Sequence, residues 1–141
     1  MSQFLEFVGN HPLLIAAFAA VVGILIYTEV TRLTSGVKNL TPFAATQLMN
    51  EVDAVFLDVR DDAEFKKGHV IDARNIPVGS IEKRIQELDK IKEKDIVVYC
   101  DSGMRSQKAI GKLRKNGFEK LHQLAGGLVA WEKASLPVVT R

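Results

Sequence analysis

The sequence predicts an α/β domain with a parallel sheet, preceded by one membrane-spanning helix. Residues 13–27 are apolar on every side of a helical wheel, and residues 7–28 contain no formally charged side chain. After Gly36, apolar segments typical of strands alternate with segments of helical spacing, which is the pattern of an α/β domain. Near-continuous apolar runs such as residues 96–99 are typical of parallel strands that helices cover on both faces.

The N-terminal apolar segment is long enough to cross a bilayer. A hydrocarbon core of about 30 Å needs about 20 residues at a rise of about 1.5 Å each. We therefore expect a short N-terminal tail at residues 1–11 and a transmembrane helix at residues 12–31. A cleaved signal peptide would begin with a basic region, which this segment lacks. A core helix that is apolar all round could hardly be surrounded by a domain of about 100 residues.

The distribution of basic residues predicts how the chain crosses the membrane. Every Lys and Arg lies at or after Arg32. Because basic residues flanking a span stay in the cytoplasm, we expect the N-terminus outside and the domain inside, with the lipid bilayer as a partner.

Composition argues against several other functions. One cysteine allows no intramolecular disulfide, and no Cys/His spacing resembles a zinc site. The formal net charge is +2 and the lysines are scattered among acids, which gives no focused basic face for a nucleic acid. We expect no metal, no cofactor and no nucleic-acid partner.

The elements before the cysteine follow from apolar spacing and capping signals. Residues 32–40 form a linker that leads into a possible first strand near residues 37–40, and the globular domain occupies residues 41–141. Thr41 as N-cap and Pro42 at the first helical position begin a helix. The next predicted elements are a buried strand at residues 54–59, a short helix that ends at Gly68, an extended piece at residues 73–77, an amphipathic helix at residues 80–91 and a strand at residues 95–100.

The elements after the cysteine follow from glycine positions. A helix at residues 106–118 is closed by Gly117 at its C′ position. Residues 120–125 form the last predicted strand, and a glycine turn and a short helix then precede Pro137.

Cys100 lies where a parallel strand hands over to a helix, which is the place where ligands bind in open α/β sheets. Ser102 and Gly103 let the backbone curl, so that the N–H groups of residues 101–105 can surround the sulfur. The helix N-terminus and Arg105 add positive potential. A shift of about two pKa units requires about 2.7 kcal/mol, which one or two charge-assisted hydrogen bonds supply. The loop therefore predicts a thiolate held in an anion cradle.

Several interpretations of Cys100 compete. A buried core cysteine is common, but it leaves the Ser-Gly-x-Arg that follows unexplained. A phosphatase or arsenate reductase of the C-x5-R kind would need one residue more than the four that separate Cys100 from Arg105. A redox sensor would lack a second cysteine to resolve a sulfenic acid. Asp101 opposes formation of the thiolate, so we expect its side chain to point away toward solvent.

Four segments resemble the motifs of the rhodanese family. They are LDVRDDAEFKKGHV, ARNIP, CDSGMRS, and GGLVAW with LPV, which occur in the family's order over residues 57–138. With the apolar segment in front, the chain is similar to small membrane-anchored single-domain rhodaneses of Gram-negative bacteria. The resemblance implies a rhodanese-like three-layer α/β/α fold with a five-stranded parallel sheet, held at the bacterial inner membrane.

The resemblance also implies a sulfurtransferase that carries a persulfide on Cys100. The donor would be thiosulfate or another sulfane-sulfur compound, small or protein-bound, and the acceptor a thiol or cyanide. Cys100 would be catalytic, and the substrate-binding residues would be Asp58, Arg60, Asp101, Ser102, Gly103, Met104, Arg105 and Ser106. Structural roles are implied for Glu64, His69, Asn75 and Trp131.

Two positions depart from the family pattern. Asp101 stands where many thiosulfate-using members carry a basic residue, and Asp72 stands in a turn where the family has Gly. A carboxylate beside the nucleophile would repel thiosulfate, which leaves a persulfide donor protein, a small persulfide or slow thiosulfate turnover. A membrane-tethered adaptor that uses the fold without catalysis, with a membrane-protein partner, stays open as a second function. His11 and His122 carry no signal, and we expect His122 to face outward.

Overall fold

A computed structural model describes residues 1–34 and 37–140, which fall into two units, Met1–Gly36 and Val37–Arg141. The first unit contains α1 (Ser2–Asn10) and α2 (Pro12–Thr34). Most of the predicted tail is therefore helical. Within α2, the segment Pro12–Thr31 has 20 residues and is long and apolar enough to cross a membrane. Its most apolar stretch is not buried against other parts of the protein. Residues 35 and 36 of the predicted linker lie outside the described residues.

The second unit has the alternating order of elements that the sequence predicts. These elements are β1 (Lys38–Leu40), α3 (Pro42–Val52), β2 (Val55–Asp58), α4 (Asp62–Lys67), β3 (His69–Val70), β4 (Arg74–Asn75), α5 (Ile81–Arg84), β5 (Ile96–Tyr99), α6 (Met104–Lys115), β6 (Leu121–Leu124), α7 (Gly127–Lys133) and β7 (Val138–Val139). Two 3₁₀ turns, Val78–Ser80 and Ile85–Ile91, flank α5.

The main sheet has five strands in the order β1-β6-β5-β2-β4, all paired in parallel. Side chains alternate across it, as the two-residue period of a strand requires. On one face, side chains of β2 and β5 pack with α5, the second 3₁₀ turn and α6. On the other face they pack with α3 and α7. The three-layer α/β/α fold and the five-stranded parallel sheet are confirmed.

Local signals set several element ends as predicted. The Thr41 hydroxyl accepts from the N–H of Ala44 at 3.2 Å and Pro42 opens α3. α4 ends at Gly68. Gly117 follows α6 with φ +86, the left-handed conformation that closes a helix at its C′ position.

The region predicted as one amphipathic helix at residues 80–91 is divided between α5 and 3₁₀ turns. Its apolar residues explain the division. Ile85, Leu88 and Ile91 recur every three residues, which matches the three residues per turn of a 3₁₀-helix better than the 3.6 of an α-helix.

A small second sheet was not predicted. β3 and β7 pair antiparallel, with His69 opposite Val139 and Val70 opposite Val138. Strands of two residues have no measurable hydrophobic period, and their partners lie far apart in sequence. The segment at residues 120–125 is therefore the last strand of the main sheet but not the last strand of the domain.

The prediction that His122 faces outward is wrong. The residue is 9% exposed, and its Nε2 lies 2.7 Å from Asp95 Oδ1. His122 belongs to β6, which lies between β1 and β5, and a central strand of a parallel sheet is covered on both faces.

The glycine turn before α7 lies directly against the loop of Cys100. Gly126 and Gly127 have φ +73 and +60, and a Cβ on Gly127 would overlap the carbonyl oxygens of Cys100 and Asp101. The N–H of Leu128 donates to the carbonyl of Cys100 at 2.9 Å. The start of α7 thus holds the backbone of the cysteine loop in place.

We predict that Gly127→Ala lowers the free energy of unfolding by about 3 kcal/mol, because it combines a strained positive φ with a backbone clash. Gly111→Ala is the matched control, since a Cβ there meets nothing within 4 Å and alanine favours the helix. Thermal unfolding of the full chain in detergent, followed by circular dichroism, measures both. A Gly127→Ala protein as stable as Gly111→Ala would contradict the role of this turn.

Candidate active site

The candidate nucleophile follows the last residue of β5 at the carboxyl edge of the sheet. Cys100 is only 2% exposed, and the residues after it curl back before α6 begins at Met104. Gly103 makes this turn with φ +123, where a Cβ would come within 2.9 Å of Gln123 Nε2. The backbone conformation therefore requires glycine here, and a Cβ would also displace the Gln123 side chain.

The Cys100 sulfur lies among polar groups of its own loop. The N–H of Gly103 donates to Sγ at 3.0 Å, and Ser106 Oγ lies 3.8 Å from Sγ. The Ser106 hydroxyl also lies 2.8 Å from the carbonyl of Gly103, to which it donates. Among these contacts the Gly103 N–H is the donor to the sulfur, and the Ser106 hydroxyl lies beside it.

The surroundings of Cys100 lower the pKa of its thiol. Burial is the largest influence and raises the pKa, but the N–H groups of Ser106 and Gly103, the Ser106 hydroxyl and the N–H of Ser102 together outweigh it. Of the N–H groups predicted at residues 101–105, those of Ser102 and Gly103 act on the sulfur, and the N–H and hydroxyl of Ser106 act on it from one residue beyond that range. The lowered pKa increases the share of the thiolate, which is the nucleophilic form of cysteine.

The other predicted residues of the loop have different positions. Ser106 is fully buried, whereas Met104 is 76% exposed, so the Met104 side chain lies outside the cradle. The Ser102 residue is also exposed, and its N–H group acts on the sulfur.

Gln123 is a site residue that sequence reasoning missed. It lies on β6, is 8% exposed, and donates from Nε2 to the carbonyl of Gly103 at 3.1 Å. This bond fixes the turn of the cysteine loop from the neighbouring strand. The contact depends on strand pairing between distant parts of the chain, so no local pattern could have indicated it.

Asp58 and Arg60 form a buried ion pair at the end of β2. Arg60 Nη2 lies 2.6 Å from Asp58 Oδ2, and the Arg60 Nε and backbone N–H also donate to this carboxylate. Arg60 Nη2 further donates to the carbonyl of Gly68 at 2.7 Å. Burial lowers the pKa of Arg60, but the hydrogen bonds and the charge of Asp58 outweigh this effect and raise the pKa overall, so the guanidinium stays charged.

Arg105 does not extend freely over the sulfur. Its Nη1 and Nη2 donate to the two carboxylate oxygens of Glu64 at 2.7 and 3.1 Å. This bidentate bond is the main cause that lowers the pKa of Glu64 to about 2. Glu64, to which a structural role was assigned, therefore also belongs to the charged surroundings of the site.

The prediction that Asp101 points away to solvent is wrong. Its Oδ1 accepts from Arg60 Nη1 and its Oδ2 from Arg105 Nη2, both at 3.3 Å. The side chain is 44% exposed and lies between the two guanidinium groups. Opposite charges at this distance attract, and two such partners outweigh the better hydration of a free carboxylate.

The two arginines of the site are therefore paired with a larger number of carboxylates. Arg60 and Arg105 contact three carboxylates, those of Asp58, Glu64 and Asp101. A cavity of about 250 Å³ opens beside this cluster, and it is lined by Arg60, Glu64, Lys67, Gly68, Asp101, Leu128, Val129 and Glu132. The cluster of Arg60, Arg105 and these three carboxylates thus carries one more negative than positive charge.

The other residues with implied structural roles make structural contacts. His69 Nδ1 lies 2.7 Å from the carbonyl of Phe65, and the two rings stack. Asn75 Nδ2 donates to the carbonyls of Asp58 and Arg60. Trp131 packs edge-on against Phe56 and donates to a backbone carbonyl.

A comparison with known protein families identifies the family of this domain. The model of the rhodanese-like domain matches residues 41–134, the part of the chain that contains four of the five strands of the main sheet, the cysteine loop and the glycine turn. The chain belongs to the rhodanese family. The resemblance inferred from four short motifs is thereby confirmed.

Relatives of this rhodanese cover both its domain and its full length. The protein YibN of Escherichia coli strain K12 is 36% identical over 99% of this chain and 98% of its own. A sulfurtransferase of Allochromatium vinosum is 36% identical over 66% of this chain and 85% of its own. A solution structure of the rhodanese-like domain of the Anabaena protein Alr3790 has a TM-score of 0.66 and 27% identity, covering 73% of this chain and 79% of that one. These similarities support a function of the sulfurtransferase type.

We predict that Ser106→Ala shifts the pH profile of Cys100 alkylation by iodoacetamide to higher pH. The Ser106 hydroxyl lowers the thiol pKa, so its loss leaves less thiolate at neutral pH. Cys100 is the single cysteine of the chain, so alkylation reports this group alone.

Ser102→Ala is the matched control for Ser106→Ala. Ser102 acts on the sulfur through its backbone N–H, which alanine keeps, so its profile should coincide with that of the unaltered protein. Equal shifts in both variants, or no shift in Ser106→Ala, would contradict this account of the thiolate.

Proposed function

We propose that the protein is a membrane-anchored sulfurtransferase that carries a persulfide on Cys100 between a sulfane-sulfur donor and a thiol acceptor. The observation that carries this proposal is the Cys100 sulfur, buried in a loop whose N–H and hydroxyl groups lower its pKa. Membership of the rhodanese family and a relative named as a sulfurtransferase support the same chemistry.

The reaction proceeds in two displacements at sulfur. The Cys100 thiolate attacks the outer sulfur of the donor, the bond between the two donor sulfurs breaks, and the remaining part of the donor leaves with the electron pair. Cys100 then carries a persulfide anion, which the N–H group of Gly103 and the hydroxyl of Ser106 can stabilise. A thiolate acceptor attacks the terminal sulfur, and Cys100 leaves again as a thiolate. No external oxidant or reductant is consumed.

The loop length supports sulfur transfer over phosphoryl transfer. Only residues 101–104 separate Cys100 from Arg105, and the Arg105 guanidinium is occupied by Glu64 and Asp101. An oxyanion substrate would need this guanidinium free to contact its oxygens. A persulfide needs donors only at one sulfur atom.

The charges around the loop favour a persulfide donor over thiosulfate. Arg60 and Arg105 are paired by three carboxylates. A dianion would meet an excess of negative charge there, whereas a persulfide of a small thiol or of a protein carries less charge on the transferred group. We therefore propose a persulfide as the physiological donor and thiosulfate as a slow substitute.

The apolar helix supports a location at the bacterial inner membrane. Pro12–Thr31 has the length and composition of a membrane span, and the relative from Escherichia coli shares nearly the full length of the chain. All lysines and arginines follow the segment, so the positive-inside rule supports an N-terminus outside and a cytoplasmic rhodanese domain.

We predict that the protein isolated from cells carries an additional sulfur atom on Cys100. Intact-mass measurement before and after treatment with cyanide detects it, because cyanide removes the terminal sulfur as thiocyanate. Cys100→Ser should lack both the added mass and the cyanolysis of any sulfane donor. A protein that gains no sulfur from thiosulfate or from cysteine persulfide would instead support the non-catalytic adaptor.

We predict that Asp101→Asn raises kcat/KM for thiosulfate about tenfold. Removing one charge near a dianion changes the binding free energy by about 1.4 kcal/mol at an effective dielectric constant of some tens, and the substitution frees donors of both arginines. With cysteine persulfide as donor the rise should be much smaller, and added salt should reduce the difference. Equal effects on both donors would contradict the electrostatic selection.

We predict that alkaline phosphatase fused after the C-terminus stays inactive in bacterial cells, since this enzyme folds only outside the cytoplasm. A phosphatase fusion at residue 11 would lack the span, so it could not report on which side of the membrane the N-terminus lies. The control is therefore a fluorescent protein that folds in the cytoplasm, fused at the C-terminus, which should fluoresce. An active phosphatase fusion would reverse the orientation.

A further inference from the structure

The N-terminal helix α1 separates its apolar and polar side chains. At about 100° per residue, Phe4, Leu5, Phe7 and Val8 fall within an arc of about 160°, and the polar residues fall on the opposite side. Those polar residues are Ser2, Gln3, Glu6 and Asn10. This is the pattern of a helix that lies between an apolar and an aqueous phase.

The apolar face of α1 is uncovered within the described part of its unit. Phe4 and Leu5 are 71% and 70% exposed, Phe7 is 50% exposed, and α1 contains no buried residue. Three large exposed apolar side chains, with the half-buried Val8 beside them, lie on one side of this nine-residue helix. This is more than scattered exposure, and such a patch marks a surface that another phase or partner covers.

The position of α1 in the chain indicates what covers this face. α1 ends at Asn10 and α2 begins at Pro12, so a single residue separates the amphipathic helix from the proposed membrane span. His11 has φ −130 and ψ 56, which interrupts the helix, and its ring contacts Phe7 with centroids 4.8 Å apart. α1 is therefore a separate helix that is held at the depth where the span leaves the hydrocarbon core.

The charges of α1 indicate how it would bind. Glu6 is its single charged side chain, on the polar face, and no Lys or Arg occurs before Arg32. The side chains of α1 therefore supply no positive charge that would attract anionic headgroups. Binding must come from the burial of apolar side chains at the boundary between headgroups and acyl chains, which a zwitterionic lipid offers equally well.

We propose that α1 is an interfacial anchor that lies in the plane of the membrane, with Phe4, Leu5, Phe7 and Val8 in the acyl boundary and Glu6 in water. The lipid interface, and not a second protein, covers its apolar face. This inference rests on the proposed membrane span of α2. The anchor fixes the depth of α2 and limits its rotation, so that α1 and α2 together hold the chain at two points of the bilayer.

Tryptophan fluorescence of the full chain in phosphatidylcholine vesicles tests this anchor. Phe4→Trp places the probe on the apolar face, Gln3→Trp is the matched variant on the polar face, and Phe18→Trp reports the span. The lipids carry bromine, a contact quencher, either near the headgroup or near the chain end. Trp131 is the single natural tryptophan and is 3% exposed, so its signal in the unaltered protein is subtracted as background.

We expect headgroup-proximal bromine to quench Phe4→Trp about twofold more than Gln3→Trp, and aqueous acrylamide to quench them in the reverse order. Replacing a third of the lipid by anionic phosphatidylglycerol should leave these ratios unchanged, and a rise would overturn the purely apolar basis. Equal quenching of both variants by acrylamide, with Phe18→Trp quenched by deep bromine, would overturn the anchor and leave the span intact.

Two further outcomes separate other occupants and the span itself. Blue-shifted emission of Phe4→Trp that neither bromine nor acrylamide quenches would place the apolar face against protein and overturn the lipid assignment. Loss of deep quenching in Phe18→Trp would overturn the span, and with it the anchor and the membrane part of the proposed function. The sulfur chemistry of Cys100 would be unaffected by that result.

Discussion

The site depends on the bond between the Gly103 N–H and the Cys100 sulfur, because this contact requires the whole loop to keep one conformation. The turn needs glycine at position 103, an amide from Gln123 to hold its carbonyl, and the close approach of Gly127 behind it. These constraints come from β5, β6 and the start of α7. Fixed donors aimed at one atom stabilise a charged sulfur without reorganising, which is the usual source of electrostatic stabilisation in enzymes.

The charges next to the loop serve a different purpose from the donors within it. Asp58 holds Arg60, Glu64 holds Arg105, and Asp101 lies between the two guanidinium groups. Each arginine is thereby fixed in position and largely neutralised. These ion pairs restrain the side chains beside the loop. The sulfur is then the group with which a substrate reacts. These charges are the basis for the proposal of a persulfide donor in place of a dianion.

The two units of the chain differ in whether their apolar side chains are buried or exposed. The rhodanese domain buries its apolar side chains on both faces of the sheet, whereas the helices of the first unit leave theirs exposed. A soluble enzyme gains nothing from such exposure, because exposed apolar area in water costs free energy. The proposed span of α2 and the proposed interfacial anchor of α1 would place these exposed side chains in the bilayer and along its surface.

The sequence by itself determined the fold class, the length of the apolar helix and the capped start of α3, and it proposed Cys100 as the nucleophile, because each depends on local spacing or on a short motif. Ser106 and Gly103 could likewise be assigned from the loop. The sequence did not reveal the role of Gln123 at the loop, the pairing of Glu64 with Arg105, the buried position of His122 or the small sheet of β3 and β7. The sequence also did not reveal that Asp101 lies between Arg60 and Arg105 instead of pointing to solvent. These features join residues that lie far apart in the chain, and only the packing of strands and helices decides which distant side chains meet.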